Sequence, residues 1–593
     1  MDGFAMAFKN ISTSNTSIAA VNADNLTFAD KTMFIGQLEA DPDRKSSVFL
    51  RPRRFGKTLF TDILMNYYDR SLAESFDETF SGMWIHDHRT PLAGSYYCVR
   101  FDFSTVSSDP ELVKSSFTNV LAFSLKEFSD RYPELGLPYS ELKAELYAEP
   151  ADLMRSFIAN FRGRSSGRER LYIIIDEYDH FVNDIFTRDA EAFRKITSTS
   201  KDHTGFIKQF YACLKESYGG IRSRPISRFF ITGVSSVSLD SLTSGFNICR
   251  NISNDPWCNT MAGFTHEELS KIIDESVDFS QLNGLTKEQI LPVMEKYYDG
   301  YTFSFRAGQR IFNSTMCLSF LKELTVAGAM PIKLVPDNAG ADLGKLEGML
   351  AVVAPEAKGH IVERIFMRDE IYAAPPAALN LNQSNLFDYN QAVSMLMYLG
   401  YLTIAPAQET GSGKLMYRCP NEIYYRIFLS YTENRCGLND SRSIDLSDLV
   451  EKADISPLIS QVETIIAELP DSGFSGFNER TLQMCFDFVL RQEQSGKLST
   501  FLEYETGNHG KADIYIDNAR PDGHRLLIEL KYLSKSKASE KAVSEKLAEA
   551  VQQLRRYSEG PRLQGTKPMD CWAVVFEGGK AVSVQQVVPA AVN

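Results

Sequence analysis

Long apolar runs are missing from this 593-residue chain. A helix needs about 20 consecutive apolar residues to cross a bilayer, and the best window, Val393–Ala405, is short and carries tyrosines. The sequence therefore predicts no membrane span. Its start, Met1-Asp2-Gly3-Phe4, has neither a basic nor an apolar segment, so no secretory signal is expected. Paired cysteines are missing as well. Nine cysteines are scattered without a C-x-x-C pair or a histidine at metal spacing. That pattern excludes a disulfide frame or zinc site and predicts reduced thiols in an intracellular, cytoplasmic setting. Positive charge is not in excess either. With a net charge of −13, no global field gathers nucleic acid, and any such contact must come from a local patch. The remaining composition, 44% apolar and 23% charged, is that of an ordinary globular protein of about three or four domains.

What is present is concentrated in a few stretches. Val48-Phe49-Leu50 leads into Arg51-Pro52-Arg53-Arg54-Phe55-Gly56-Lys57-Thr58, and then into Leu59–Tyr68, whose apolar spacing is helical. Strand, loop and helix N-terminus form the context of a phosphate-binding loop. Backbone N–H groups and the helix dipole face the phosphates, Lys57 reaches the terminal ones, and the Thr58 hydroxyl holds Mg²⁺. Arg51 stands where the pattern G-x-x-x-x-G-K-[ST] has its first glycine. Leu171–Ile175 reads as a buried parallel strand ending in Asp176-Glu177, one carboxylate to orient the metal and one to activate water. The same residues fit a core strand capped by an acidic turn. Arg228–Val234 is another buried strand, and Thr232 near its end either senses a γ-phosphate or opens a Thr-Gly turn. Strands alternating with helices predict a doubly wound parallel α/β sheet with its ligand at the carboxyl ends.

Elsewhere the signals are organisational. Residues 9–25 are rich in Asn, Ser and Thr and read as a mobile or loosely packed arm. Thr-x-x-Glu and Thr-x-x-Gln boxes at Thr265 and Thr286 start two helices. Asn385–Leu399 reads as an amphipathic helix, followed by a strand at Tyr401–Ile404. The segment around them fits a winged-helix-like module or a structural connector. The predicted division is 1–25 arm, 26–330 P-loop domain, 331–470 helical connector or winged-helix-like module, and 471–593 second α/β domain.

That last domain carries its own chemistry. Asn478 caps a helix beginning at Glu479; strands follow at Phe501–Thr506, Gly510–Ile516 and Arg525–Tyr532. Alternation puts Glu529 and Lys531 on one face, with Ile528 and Leu530 on the other. Asp513 on the neighbouring strand can converge with them. Two carboxylates hold a hard divalent cation beside a phosphate, and a lysine orients water and offsets developing charge.

Several of these stretches resemble a known family. Phe28-Ala29-Asp30-Lys31-Thr32, the loop at 51–58, Ile173–Asp179 and Ile231-Thr232-Gly233-Val234 resemble the bacterial AAA-ATPase-like proteins. Many of those carry a C-terminal PD-(D/E)XK nuclease-like domain, and their loop also opens on Arg-Pro-Arg-Arg. Tyr298-Asp299-Gly300-Tyr301 and Phe312-Asn313 match too, although an aromatic cluster is first of all packing. The resemblance implies ATP and Mg²⁺, or Mn²⁺ in its place. Arg53, Arg54, Phe55, Gly56, Lys57, Thr58, Asp176 and Thr232 would bind the nucleotide, with Thr58 and Asp176 on the metal and Glu177 activating water. In the nuclease-like part it makes Asp513 the strand acid and Glu529 with Lys531 the E-x-K pair. Glu479 joins Asp513 and Glu529 as a metal ligand, Glu503 and Glu505 are helpers, and Gln553 with Tyr557 resembles a Gln-x-x-x-Tyr motif. Lys531, Lys535, Lys537, Lys541, Lys546, Arg555 and Arg556 form a basic patch; the interleaved Glu540, Glu545 and Glu549 also fit a solvated helix face. The expected protein is an ATPase coupled to a metal-dependent nuclease on nucleic acid, DNA first, with homo-oligomerisation open. The alternative is a nucleotide switch whose C-terminal domain binds nucleic acid or protein without cutting.

Overall fold

The computed structural model describes residues 8–588 except 198–203, 237–247, 332, 336–338, 367–369, 377–385, 406–412, 436–445, 469–477, 492–497, 508, 519, 521, 535–537 and 564–566. Internal contacts divide the chain into two units, Met1–Ile427 and Phe428–Asn593.

The first unit is built on β1 (Ser46–Leu50), β2 (Tyr97–Asp102), β3 (Leu171–Asp176), β4 (Ile226–Gly233) and β5 (Arg250–Asn251). They are parallel, in the order β2-β3-β4-β1-β5. Ile173, Ile174 and Ile175 are fully buried, as an unbroken β-branched run requires when helices cover both faces. Helix α1 (Lys57–Tyr68) follows β1, and α2 (His180–Arg188) follows β3. Because β4 lies between β1 and β3, the GKT loop, Thr232 and Asp176 end side by side at the carboxyl edge.

Residues 9–25, set apart in the sequence as an arm, pack in this unit: Ile18 and Val21 are buried, and the Ile18 N–H donates to Asp62 at 2.7 Å. Both threonine boxes form as read, on Thr265 with Glu268 and on Thr286 with Gln289. Beyond them come α3 (Ser314–Ala327) and α4 (Ala339–Ala351). A small antiparallel sheet follows, with β8 (Leu415–Arg418) between β6 (Ile371–Ala373) and β7 (Thr403–Ile404). The stretch read as amphipathic is a helix over Tyr389–Tyr398, capped by Asp388 and Gln391; residue 385 lies outside the described residues. Every residue from Ala392 to Tyr398 is buried. It is a core helix, covered by the Pro355–Phe366 helix and by β6.

In the second unit, helices at Ser447–Lys452 and Ser456–Glu468 pack into the same core and precede α5 (Glu479–Arg491), whose first turn is capped by Asn478 accepting from the Thr481 N–H at 3.0 Å. Strands β9 (Leu498–Glu505), β10 (Lys511–Asn518) and β11 (Arg525–Leu533) follow, then α6 (Glu540–Ser558), β12 (Met569–Glu577) and β13 (Lys580–Val587). The sheet order is β13-β12-β11-β10-β9, with only β11 and β12 parallel. One face packs Ile514, Ile528 and Leu530 against α5 through Leu482, Phe486 and Val489. The other packs Tyr515 and Leu527 against α6 through Ala550, Leu554 and Tyr557. Alternation thus sends Glu529 and Lys531 to the face of Leu527.

Among the described residues no helix is long and apolar enough to cross a membrane. All eight described cysteines are free.

Candidate functional site

At the first site the loop is held open from behind. Arg54 and Gly56 have left-handed backbones, with φ of 72° and 85°. Alternation of this kind curls successive N–H groups toward one side, as in anion-binding nests. The carbonyls turn the other way and are all engaged. Pro52 accepts from Lys57 Nζ at 3.2 Å, Arg53 from the Asn313 amide at 3.4 Å, Arg54 from Ser314 Oγ and the Thr315 N–H, and Phe55 from the Gly263 N–H at 2.8 Å. Asn313, part of the matched Phe-Asn pair, also caps α3. The ring of Phe55 is buried edge-on to Tyr301 and Phe303, so only its backbone faces the loop's concave side.

Arg51, in the place of the first glycine, is a structural residue that the sequence reading left unassigned. It is 1% exposed, stacks between Phe49 and Phe303 at 4.4 and 4.3 Å, and donates to the carbonyls of Leu50, Ser253 and Cys258.

The acidic end of β3 faces Lys57. Glu177 Oε1 lies 3.4 Å from Lys57 Nζ, on a left-handed residue with φ of 52°. Burial pushes the Glu177 carboxyl up, but Lys57, Arg53 and His180 together hold it below its ordinary value. Asp176 is fully buried. Its Oδ2 accepts from Arg100 at 2.9 Å and from Thr61 at 3.3 Å, while Oδ1 has no hydrogen-bond partner. Burial first, then Glu177 and Asp102, raise this carboxyl against the pull of Arg100. Thr232 is likewise fully buried with an unpartnered Oγ1. The following Gly233 has no room for a side chain, since a Cβ there would meet Asp179 at 2.3 Å and Tyr178 at 2.5 Å. Asp179 in turn accepts the Val234 and Ser235 N–H groups. A cavity of about 230 Å³ lies over the loop, lined by Lys57, Thr58, Glu177 and the early segment Ser12–Thr16. Arg53 meets His180 at 3.2 Å, and Arg54, which also borders this cavity, pairs with Asp342 at 3.1 Å. The matched Lys31 also borders this cavity, with its ammonium held by Glu268 and the Thr260 carbonyl.

The second site forms where β10 and β11 part. Their pairing runs through Ile514 and Ile528, and beyond it the Asp513 carboxylate takes the Leu530 N–H at 2.6 Å. Lys531 Nζ donates to Glu529 at 2.9 Å and lies 3.5 Å from Glu479. Thus Asp513, Glu529, Lys531 and Glu479 are brought together. Gln483, which the sequence reading missed, completes the set. It is buried, donating to Asp513 Oδ1 and to Glu503 Oε1 at 3.1 Å. Its signal was available, because Gln483 follows Glu479 by four residues and shares its helix face. Glu503, exposed on β9 with a left-handed backbone of φ 48°, joins the set through its bond to Gln483; Glu505, also exposed, pairs with Lys511 and Arg562. Tyr557 is buried within electrostatic reach of Glu529 and Asp513, and its ring rests where a Cβ on Gly510 would stand. Gln553, one turn earlier, keeps a buried Oε1 without a partner.

The electrostatics suit a divalent cation. Burial first, and then Glu529 and Glu479, hold Asp513 well above the usual carboxylate range. Burial also lifts Glu529, to about 6, against the attraction of Lys531, and its Oε2 is buried without a partner. Burial opposes the charge on Lys531, but Glu529, Asp513 and Glu479 outweigh it and push the ammonium up. Among the described residues no three His, Cys, Asp or Glu form a ready metal cage; the raised carboxyls are those of Asp513 and Glu529, and Glu479 meets them through Lys531. A metal must compete with protons for these raised carboxyls. Mn²⁺ affinity is therefore expected to climb as pH rises through about 6. Titrations of the full chain between about pH 5 and 8 check this, and a flat profile contradicts it.

The basic patch is partly neutralised. Lys541 pairs with Glu545 and Lys546 with Glu549, Arg555 and Arg556 are exposed, and Lys535 and Lys537 lie outside the described residues.

Comparison with known proteins agrees with this two-part layout. Residues 14–243 match the family described as predicted AAA-ATPase, and 478–586 match the PD-(D/E)XK nuclease superfamily. A curated relative, the uncharacterized protein in the vnfD 5′ region of Azotobacter chroococcum mcd 1, is 27% identical over 292 residues. The match covers 49% of this chain and 47% of that protein, so the chain spans about half the length of this relative.

Proposed function

From a chain that joins a domain of the predicted AAA-ATPase family to one of the PD-(D/E)XK nuclease superfamily, we propose an ATPase coupled to a metal-dependent nuclease. The observation that carries the reading is the convergence of Asp513, Glu529 and Lys531 where β10 and β11 part. Asp513 and the unpartnered Oε2 of Glu529 would hold Mg²⁺ or Mn²⁺, which polarises a phosphodiester and lowers the pKa of water. Lys531, fixed by Glu529 and Glu479, orients the attacking water and offsets charge gathering on the phosphate. Gln483 keeps Asp513 aimed. The preferred substrate is DNA, a choice that rests on likeness to the nuclease superfamily.

In the first unit Lys57 and the loop N–H groups would take the phosphates of ATP, Thr58 and Asp176 its Mg²⁺, and Thr232 the terminal phosphate. The unpartnered Asp176 Oδ1 and Thr232 Oγ1 fit that chemistry. A terminal phosphate draws Lys57 away and frees Glu177 to activate water. The alternative is a nucleotide switch whose C-terminal domain binds nucleic acid or protein without cutting; the ion pair of Arg100 with Asp176 favours its switch half, since it occupies the carboxylate meant for the metal.

Lys57→Ala tests the coupling. ATP affinity, followed with a fluorescent analogue, is expected to fall about a hundredfold, the scale of two lost charge-assisted contacts. Nucleic-acid cleavage by this variant then loses its response to ATP. Unchanged affinity sinks the nucleotide-binding part of the proposal.

A further inference from the structure

Arg54 borders the cavity over Lys57, but both loop arginines line a second cavity of about 390 Å³, walled by α2, α4 and the Tyr401 and Tyr424 region, all within the first unit. Four cations line it: Arg53 and Arg54 from the loop, Arg188 from α2 and Lys345 from α4. Two carboxylates answer them, Asp184 and Asp342, and Asp342 lies 3.1 Å from Arg54 and 3.8 Å from Lys345. Arg53 also acts on the Glu177 carboxyl, and the wall itself carries more cations than carboxylates. The crowding is felt at Lys345, whose ammonium is held down first by burial and then by Arg53 and Arg54.

We propose that this cavity is a second binding site, for a nucleotide-sized ligand bearing two or more phosphates, separate from the site over Lys57. Three features select that chemistry. Guanidinium forks match phosphate oxygens bidentately, which a halide cannot use. Cations from three separate elements can each reach a different oxygen of a polyphosphate. A volume of about 390 Å³ falls within the range of small-molecule pockets. The site is also placed to regulate. An occupant competes with Asp342 for Arg54, whose own carbonyl is pinned by Ser314 and Thr315. Its binding therefore bears on the loop two residues before Gly56 and on the seating of α4.

The proposal goes beyond the ATPase reading and is tested separately from it. Full-length protein is titrated calorimetrically with ATP and Mg²⁺, as wild type, as Lys57→Ala, and as the double variant Arg188→Gln with Lys345→Gln. Arg188 is exposed and Lys345 partly so, and unfolding curves confirm that the double variant folds. Wild type is expected to bind two nucleotides per chain. The double variant loses one of them by at least tenfold in affinity and keeps the other, while Lys57→Ala does the reverse. One nucleotide per chain, lost in Lys57→Ala and untouched in the double variant, overturns the second site and leaves the first standing. A single event abolished by both variants overturns it too, because one nucleotide then spans both cavities. A single event lost only in the double variant supports the second site and removes the first.

Discussion

Asp513→Asn is expected to lower phosphodiester cleavage on the order of a thousandfold while leaving the fold as stable as before, or more so. The two effects have one cause. Asp513 is buried beside Glu529, and its ionised form is disfavoured by burial and by that like charge. A carboxyl whose folded pKa is raised favours the fold at low pH and loses that contribution as pH climbs through the raised value. At neutral pH an ionised Asp513 therefore weakens the second unit. Asparagine removes the charge and still accepts the Leu530 N–H. Its amide then faces Gln483, whose Oε1 has no partner and can meet it after a flip. Relief of this kind is worth roughly 0.5–2 kcal/mol. Unfolding of wild type and variant at neutral pH, beside a metal titration, checks both halves. A variant that loses stability and keeps its metal affinity contradicts the account of this site.

The second large effect concerns Arg51. Arg51→Gly restores the glycine that the phosphate-loop pattern calls for, and by that logic it improves the loop. The structure predicts damage. Removing the side chain strands the carbonyls of Leu50, Ser253 and Cys258 in the interior and leaves a gap between Phe49 and Phe303. Several lost charge-assisted hydrogen bonds plus a cavity come to about 3–5 kcal/mol. The backbone N–H of residue 51, which glycine keeps, still bonds the Gly233 carbonyl, so the damage comes from the lost side chain alone. Chemical unfolding followed by probes in each unit is expected to show the first unit shifted and the second unchanged, with ATP affinity no better than wild type. Equal stability with tighter ATP binding contradicts this role. Arg51→Lys separates charge from geometry, since a lysine cannot reach three carbonyls as a fork does.

These two residues also mark what the sequence could reveal. Periodicity exposed β1, β3 and β4, because parallel strands covered on both faces read as unbroken apolar runs, and β11 through its alternation. Asn478, Thr265 and Thr286 announced their helices because a cap acts within three residues of itself. Asp513, Glu529 and Lys531 were legible for the same reason: adjacent strands and a period of two. The structural role of Arg51 was hidden, since its partners at 253, 258 and 303 are some 200 residues away in sequence. The pairing of Arg54 with Asp342 and of Arg100 with Asp176 was equally hidden. Gln483 escaped notice because an amide on an amphipathic helix looks like solvated surface. Glu503 and Glu505 read alike because alternation puts both on one face; the structure joins Glu503 to Gln483 and pairs Glu505 with Lys511 and Arg562.

The most direct measurement is cleavage of labelled single- and double-stranded DNA and RNA by wild type and by Glu529→Ala. Each is assayed with Mg²⁺ or Mn²⁺, with and without ATP. The account predicts metal-dependent cutting by wild type that responds to ATP and disappears in the variant. Cutting that survives in Glu529→Ala, or no cutting at all by protein that binds both ATP and metal, contradicts it.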